Sequence, residues 1–193
     1  MSRTAAATRE DVVRTAARRF VAGERIDVQA VVGETGVARA TVHRWFGTRE
    51  GLIGEAVVYA SEPVLRRARR AAEGRGALGL VDALDGAVRA MAADEGLRRF
   101  LEHEREAALR ILTSSGGVVQ PVWVARVEAL IVAEADAGRY RPALDPATLA
   151  YAIVRLTEAF LYNDAAAGLR GDADRLRDVL AALLGVAPAP PAP

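Results

Sequence analysis

The 193-residue chain contains no cysteine and no lysine, and its only histidines are His43 and His103. Without cysteine there is no disulfide frame, no thiolate metal site and no thiol nucleophile. Two histidines and no serine in a G-x-S-x-G elbow leave nucleophilic triads and familiar zinc motifs short of parts. Glu102, His103 and Glu104 are adjacent, so on a helix they point to different sides instead of converging on a metal. Catalytic residues, a bound metal and a cofactor are therefore not expected. No apolar run has the length of a membrane span, and the opening stretch MSRTAAATRED lacks the apolar core of a signal peptide. A soluble, cytoplasmic protein with no membrane partner is expected. The absence of lysine reads as a mark of genomic base composition.

What is present is a divided charge. Through Arg70 there are 13 Arg against 8 acidic residues, and beyond it 13 Arg against 17. A basic module followed by an acidic one fits nucleic-acid binding by the first, because neutralising phosphates releases counterions. An ordinary solvated surface accounts for such a split equally well. The length suffices for a small N-terminal module and a larger C-terminal one.

The stretch Asp27 to Leu52 reads as two short helices across a tight turn. Val28, Val31, Val32 and Val37 form one apolar side, continued by Val42, Trp45 and Phe46. Gly36 stands where the chain must leave the first helix in a left-handed conformation, and Gly33 reads as a point of close helix approach. This is a helix-turn-helix pattern. Its second helix projects Arg39, Thr41, His43 and Arg44 away from the apolar side, as a helix lying in a DNA major groove would.

The segment GVARATVHRWFGTREGL resembles the DNA-binding signature of the TetR family of bacterial transcriptional regulators. Trp45 and Phe46 correspond to its aromatic pair, and Arg49-Glu50-Gly51-Leu52 to the start of its linking helix. Ala38 replaces the usual hydroxyl residue, His43 a common Tyr, and Arg49 a Lys. The resemblance implies a homodimeric, ligand-responsive regulator, expected to be a repressor, that binds double-stranded DNA. Arg39, Thr41 and Arg44 are then expected at bases or phosphates, with Arg39 suited to a guanine edge and Thr41 and His43 to the backbone. Arg49 and Arg9 are expected to meet flanking phosphates.

The rest of the chain reads as helical, giving an all-α fold. A three-helix DNA-binding domain is expected over 1–48, a linking helix over 49–73, an effector-binding and dimerisation domain over 74–186, and a disordered tail over 187–193. Thr8 with Asp11 is a capping-box pattern for the first helix, and Gly23 ends it. Asp27 and Thr48 are caps for later helices. Pro63 is expected to kink or break the linking helix. Gly74-Arg75-Gly76-Ala77-Leu78-Gly79 spells G-x-G-x-x-G but lacks a preceding strand, and reads as a flexible linker. The run Glu102 to Glu106 should interrupt or kink a helix over 97–112. Further helices are expected over 78–93 and 120–137. Asp145-Pro146 is a cap followed by a first-turn proline, opening a long helix to about Ala167. Arg170-Gly171-Asp172 is a loop into the last helix, which carries Leu176, Val179, Leu180, Leu183 and Leu184.

Leu149, Ile153, Leu156, Phe160 and Leu161 lie around much of the circumference of the helix that starts at Pro146, and a helix apolar on most sides is buried on most sides. Dimerisation through the last two helices is expected, as the resemblance also implies. It would set two recognition helices about 34–36 Å apart on a pseudo-palindromic operator. The segments from Arg99, Ala107, Gly117, Leu149 and Glu158 also resemble the C-terminal domain of a QsdR-type subgroup linked to control of lactone and quorum-signal degradation, which implies a lactone-like effector. Tyr151, Arg155, Glu158 and Tyr162 form a polar stripe that reads as a head-group site, as a dimer contact, or as an intrahelical Arg155–Glu158 pair with packed tyrosines. His103, Arg110, Thr113, Trp123 and Asn163 are further candidates for a cavity between helices. A helical ligand-binding or adaptor protein without specific DNA binding is the alternative.

Overall fold

Short-range capping signals start several of the helices. The computed structural model describes residues 7–163 and 173–186. Helix α1 (Arg9–Val21) opens on a reciprocal box: the Asp11 amide donates to the Thr8 hydroxyl at 3.2 Å, and the Thr8 amide to the Asp11 carboxylate at 2.8 Å. Asp27 caps α2 (Val28–Thr35) by accepting from the Gln29 amide. Helix α3 (Arg39–Phe46) follows without a side-chain cap, because Ala38 has no hydroxyl to offer. Thr48 accepts from the Gly51 amide at the start of α4 (Arg49–Ala72).

Helices α5 (Gly76–Ala92), α6 (Glu95–His103), α7 (Arg105–Thr113), α8 (Val119–Asp136) and α9 (Pro146–Glu158) come next. A π-helical turn, Ala159–Asn163, extends α9, and α10 spans Ala173–Leu183. No strand occurs among the described residues, as an all-α chain requires.

The described residues group into two compact units, 7–62 with 94–119, and 63–93 with 120–163 and 173–186. Residues 94–119, read from sequence as part of the effector domain, thus pack with the helix-turn-helix. In the first unit Val12, Ala16, Phe20, Val31, Val42, Leu52, Ile53 and Ile111 are buried. The second is built on Leu80, Val81, Leu84, Ile131, Leu149, Ile153, Leu176 and Leu180. There α10 packs on α5 and α9.

Several expectations are corrected. Helix α4 runs through Pro63 unbroken. Proline removes one amide donor, and α4 tolerates the loss at a position exposed to solvent. Residues 74–79 are not a flexible linker, since Gly76 already begins α5 and Gly79 lies within it. The Gly74 and Gly76 amides each donate to the buried carboxylate of Glu134 at 2.9 Å, which also takes the Arg139 guanidinium at 2.9 Å. The Arg139 bond, opposed by burial and helped by the two amides, holds Glu134 down to about 2. Gly33 is not a close-approach point, because a Cβ there would meet nothing within 4 Å. The helix over 97–112 does break, with Glu104 serving as C-cap of α6 and N-cap of α7. The Arg170-Gly171-Asp172 loop, the end of the long helix near Ala167 and the 187–193 tail lie outside the described residues.

Candidate nucleic-acid interface

Helices α2 and α3 meet across Gly36, whose φ of +69° puts it in the left-handed region, where a residue without Cβ is unstrained. Val31, Val37 and Val42 are buried beneath the turn and fix the inner side of α3. Arg39, His43 and Arg44 are exposed on α3, and Thr41 is half-buried. The absence of a side-chain cap at Ala38 leaves first-turn amides of α3 without a side-chain partner, next to Arg39. Unpaired amides at a helix N-terminus suit an anionic phosphate oxygen.

Trp45 and Phe46 are half-buried and meet edge to face, with centroids 6.3 Å apart. Gly51 explains how α4 can start so close behind them. A Cβ there would stand 2.2 Å from the Phe46 carbonyl oxygen, so the turn admits only glycine without a backbone shift.

The six residues expected at DNA divide by their partners. Among the described residues, neither Arg39 nor Arg44 has an ion-pair partner. His43 Nδ1 lies 2.9 Å from the Gly47 carbonyl, to which it donates. A neutral ring bonded this way offers Nε2 as an acceptor, so a phosphate contact there requires the imidazolium. Arg9 donates to Glu55 at 2.6 Å, and its guanidinium carbon lies 4.9 Å from the Phe46 ring centroid. Arg49 turns inward. Its Nη1 and Nη2 each donate to the Glu104 carboxylate at 2.7 Å, and its Nε to the Ile26 carbonyl at 2.7 Å. Each nitrogen of that guanidinium has a partner within the protein, so the charge expected at a flanking phosphate is already paired with Glu104. The fork on Glu104 is a structural tie joining the start of α4, the loop before α2 and the α6–α7 break. The Arg49 bonds hold the Glu104 carboxyl below its ordinary range, against the effect of burial.

The pocket candidates belong to both units. His103, Arg110 and Thr113 fall in the first unit, and the other six in the second. His103 lines a cavity beside α1 and α6. Arg110 pairs with Glu50 of α4, and the Thr113 hydroxyl donates to the Leu109 carbonyl at 2.8 Å. In the second unit Trp123 packs against the core, Tyr151 is 50% exposed, and Tyr162 is buried. Arg155 and Glu158 form the intrahelical pair at 2.7 Å. Desolvation pushes the Glu158 carboxyl up to about 7 despite Arg155, and the Tyr162 hydroxyl is pushed up by burial and then by Glu158. Asn163 closes the π-helical turn, and its side chain lies outside the described residues. Sequence reading missed Glu104 and Glu134. The charged run at 102–106 and the paired glycines at 74 and 76 were their only local signals.

No curated protein matches the chain. Among solved structures it is similar to the transcriptional repressor QsdR of R. erythropolis, from the TetR family, at 26% identity and a TM-score of 0.85, covering 94% of this chain and 96% of that one. It shares its fold with the transcriptional regulator FadR from Bacillus subtilis, solved in complex with stearoyl-CoA, at 14% identity and a TM-score of 0.54, covering 92% and 97%. Residues 75–185, more than half the chain, match the profile of the tetracyclin repressor-like C-terminal domain. With a helix-turn-helix that presents unpaired arginines ahead of that domain, the chain belongs to the TetR family of ligand-responsive, DNA-binding transcriptional regulators.

Proposed function

We infer that the protein is a repressor that reads a pseudo-palindromic operator as a homodimer and leaves it when an effector binds the second unit. The observation that carries operator reading is the pair of exposed, unpaired arginines on α3. Arg39 reads a guanine edge at the N-terminal end of the recognition helix. Arg44, Thr41 and His43 meet the backbone, and Arg9 reaches a flanking phosphate by exchanging Glu55 for it. Trp45 and Phe46 hold α3 in place.

Dimerisation is assigned to α9 and α10. Leu149, Ile153, Leu176 and Leu180 are consumed by the core of the second unit. Leu156, Phe160, Leu161 and Leu183 are only partly buried, which supports a partner helix pair there. The effector is apolar or lactone-like, in keeping with the resemblance to a QsdR-type C-terminal domain. It releases DNA to the extent that it binds the released conformation more tightly.

The test is fluorescence anisotropy of the purified protein on its own upstream DNA, across a salt series, beside Arg39→Ala and a scrambled duplex. Dimer-stoichiometric binding that weakens in both controls is expected. Loss of a bidentate arginine–guanine contact should cost about 1–3 kcal/mol. Binding indifferent to both sequence and Arg39 would instead favour a helical ligand-binding protein that no longer reads DNA.

A further inference from the structure

The first unit contains a cavity of about 410 Å³ that the assignment of the effector to the second unit does not use. Phe20, Ile26, Ile53 and Phe100 supply its apolar wall, and Arg25, His103 and Glu104 are among its polar residues. Its volume falls within the range of small-molecule sites, which combine an apolar lining with a few converging polar groups. The wall is firmly built. Phe20 and Phe100 meet edge to face with centroids 6.0 Å apart, and Gly96 of α6 approaches so closely that a Cβ would stand 2.2 Å from the Phe20 carbonyl oxygen.

The charges around it are unequally satisfied. Glu104 already accepts both Arg49 nitrogens, and Glu24 pairs with Arg19 at 3.0 Å. Arg99 pairs with Glu95 at 2.7 Å. Arg25 is different. It comes only within 3.6 Å of Glu104, too far for a hydrogen bond, and its side chain is 76% exposed. A carboxylate that arrived here would find one cation still able to form a fork–fork pair, beside an apolar body site.

We propose that this cavity binds a compact apolar molecule bearing one carboxylate, with Arg25 taking the head group and Phe20, Ile26, Ile53 and Phe100 the body. The site lies against Glu104, which accepts from the same Arg49 guanidinium that donates to the Ile26 carbonyl in the loop before α2. It therefore borders the helix-turn-helix itself, apart from the effector site proposed in the second unit.

Octanoate and octanol are the probes, titrated calorimetrically into the full chain without DNA, so that the outcome stands apart from operator recognition. Octanoate is expected to bind saturably, one per chain, and about tenfold more weakly to Arg25→Ala, the equivalent of one charge-assisted hydrogen bond. Octanol is expected to bind the wild type and Arg25→Ala alike. His103→Trp, placed at an exposed position of the lining, should weaken both probes, and the exposed control Arg141→Ala neither. Absence of saturable octanoate binding, or binding unchanged in Arg25→Ala and His103→Trp, would overturn the site. Equal loss with Arg141→Ala would reduce it to a diffuse charge effect and overturn it as well.

Discussion

At the scale of single residues, two buried carboxylates have opposite consequences for stability. Glu134 is held ionised by Arg139 and by the Gly74 and Gly76 amides, to a value of about 2. Its contribution is present above the ordinary glutamate range and is lost as pH falls from about 4.5 towards about 2. Glu158 runs the other way. Its folded value of about 7 lies above the unfolded one, so the native state binds the extra proton between the two, and stability declines as pH rises from about 4.5 to about 7. Glu158→Gln, which removes the charge at all pH values, is expected to flatten the urea midpoint between pH 5 and 7. An unchanged slope in that variant would show that another group titrates there. The stripe from Tyr151 to Tyr162 was legible in the sequence, whereas the burial that raises Glu158 was not. Four-residue spacing defines a helix face and does not say what covers it.

Among elements, the tie at the α6–α7 break carries the most consequence. Glu104 interrupts the helix, and its carboxylate reaches back 55 residues to the first residue of α4. Arg110 of α7 pairs with Glu50, the next residue of α4, so two successive positions of that first turn are held from the same side. Gly51 follows at once, under the Phe46 carbonyl at the end of the recognition helix. Glu104→Gln keeps the shape and removes the charge. It is expected to lower stability by about 1–2 kcal/mol, the scale of a partly exposed charge-assisted pair. It should also weaken operator binding while leaving the salt slope unchanged, because no phosphate contact is lost. A reduced slope would instead make Arg49 a phosphate ligand. The charged run in the sequence pointed to an interruption or a kink in this helix. It could not show that the break faces α4.

For the whole molecule, the prediction concerns assembly. Leu183 remains partly buried on α10 after the core has taken Leu176 and Leu180. Leu183→Glu is expected to shift sedimentation from dimer to monomer with little change in helix content. Operator affinity should then fall steeply, since each half-site would be held by one recognition helix alone. A dimer that survives this substitution would place the interface elsewhere.

The sequence by itself determined the helices, their caps and the recognition motif, because these depend on groups three or four residues apart. The Thr8–Asp11 box, the Asp27 and Asp145 caps, the Gly36 turn and the outward set Arg39, His43 and Arg44 could all be read from local spacing. Only the tertiary structure decided which charges are spent inside the protein. Arg49 and Glu104 are 55 positions apart, and Gly74 and Glu134 are 60 apart. Both contacts form only when distant helices pack and exclude the water that would otherwise solvate those groups. The same packing placed His103, Arg110 and Thr113 in the first unit, and opened beside His103 a cavity that no periodicity could announce.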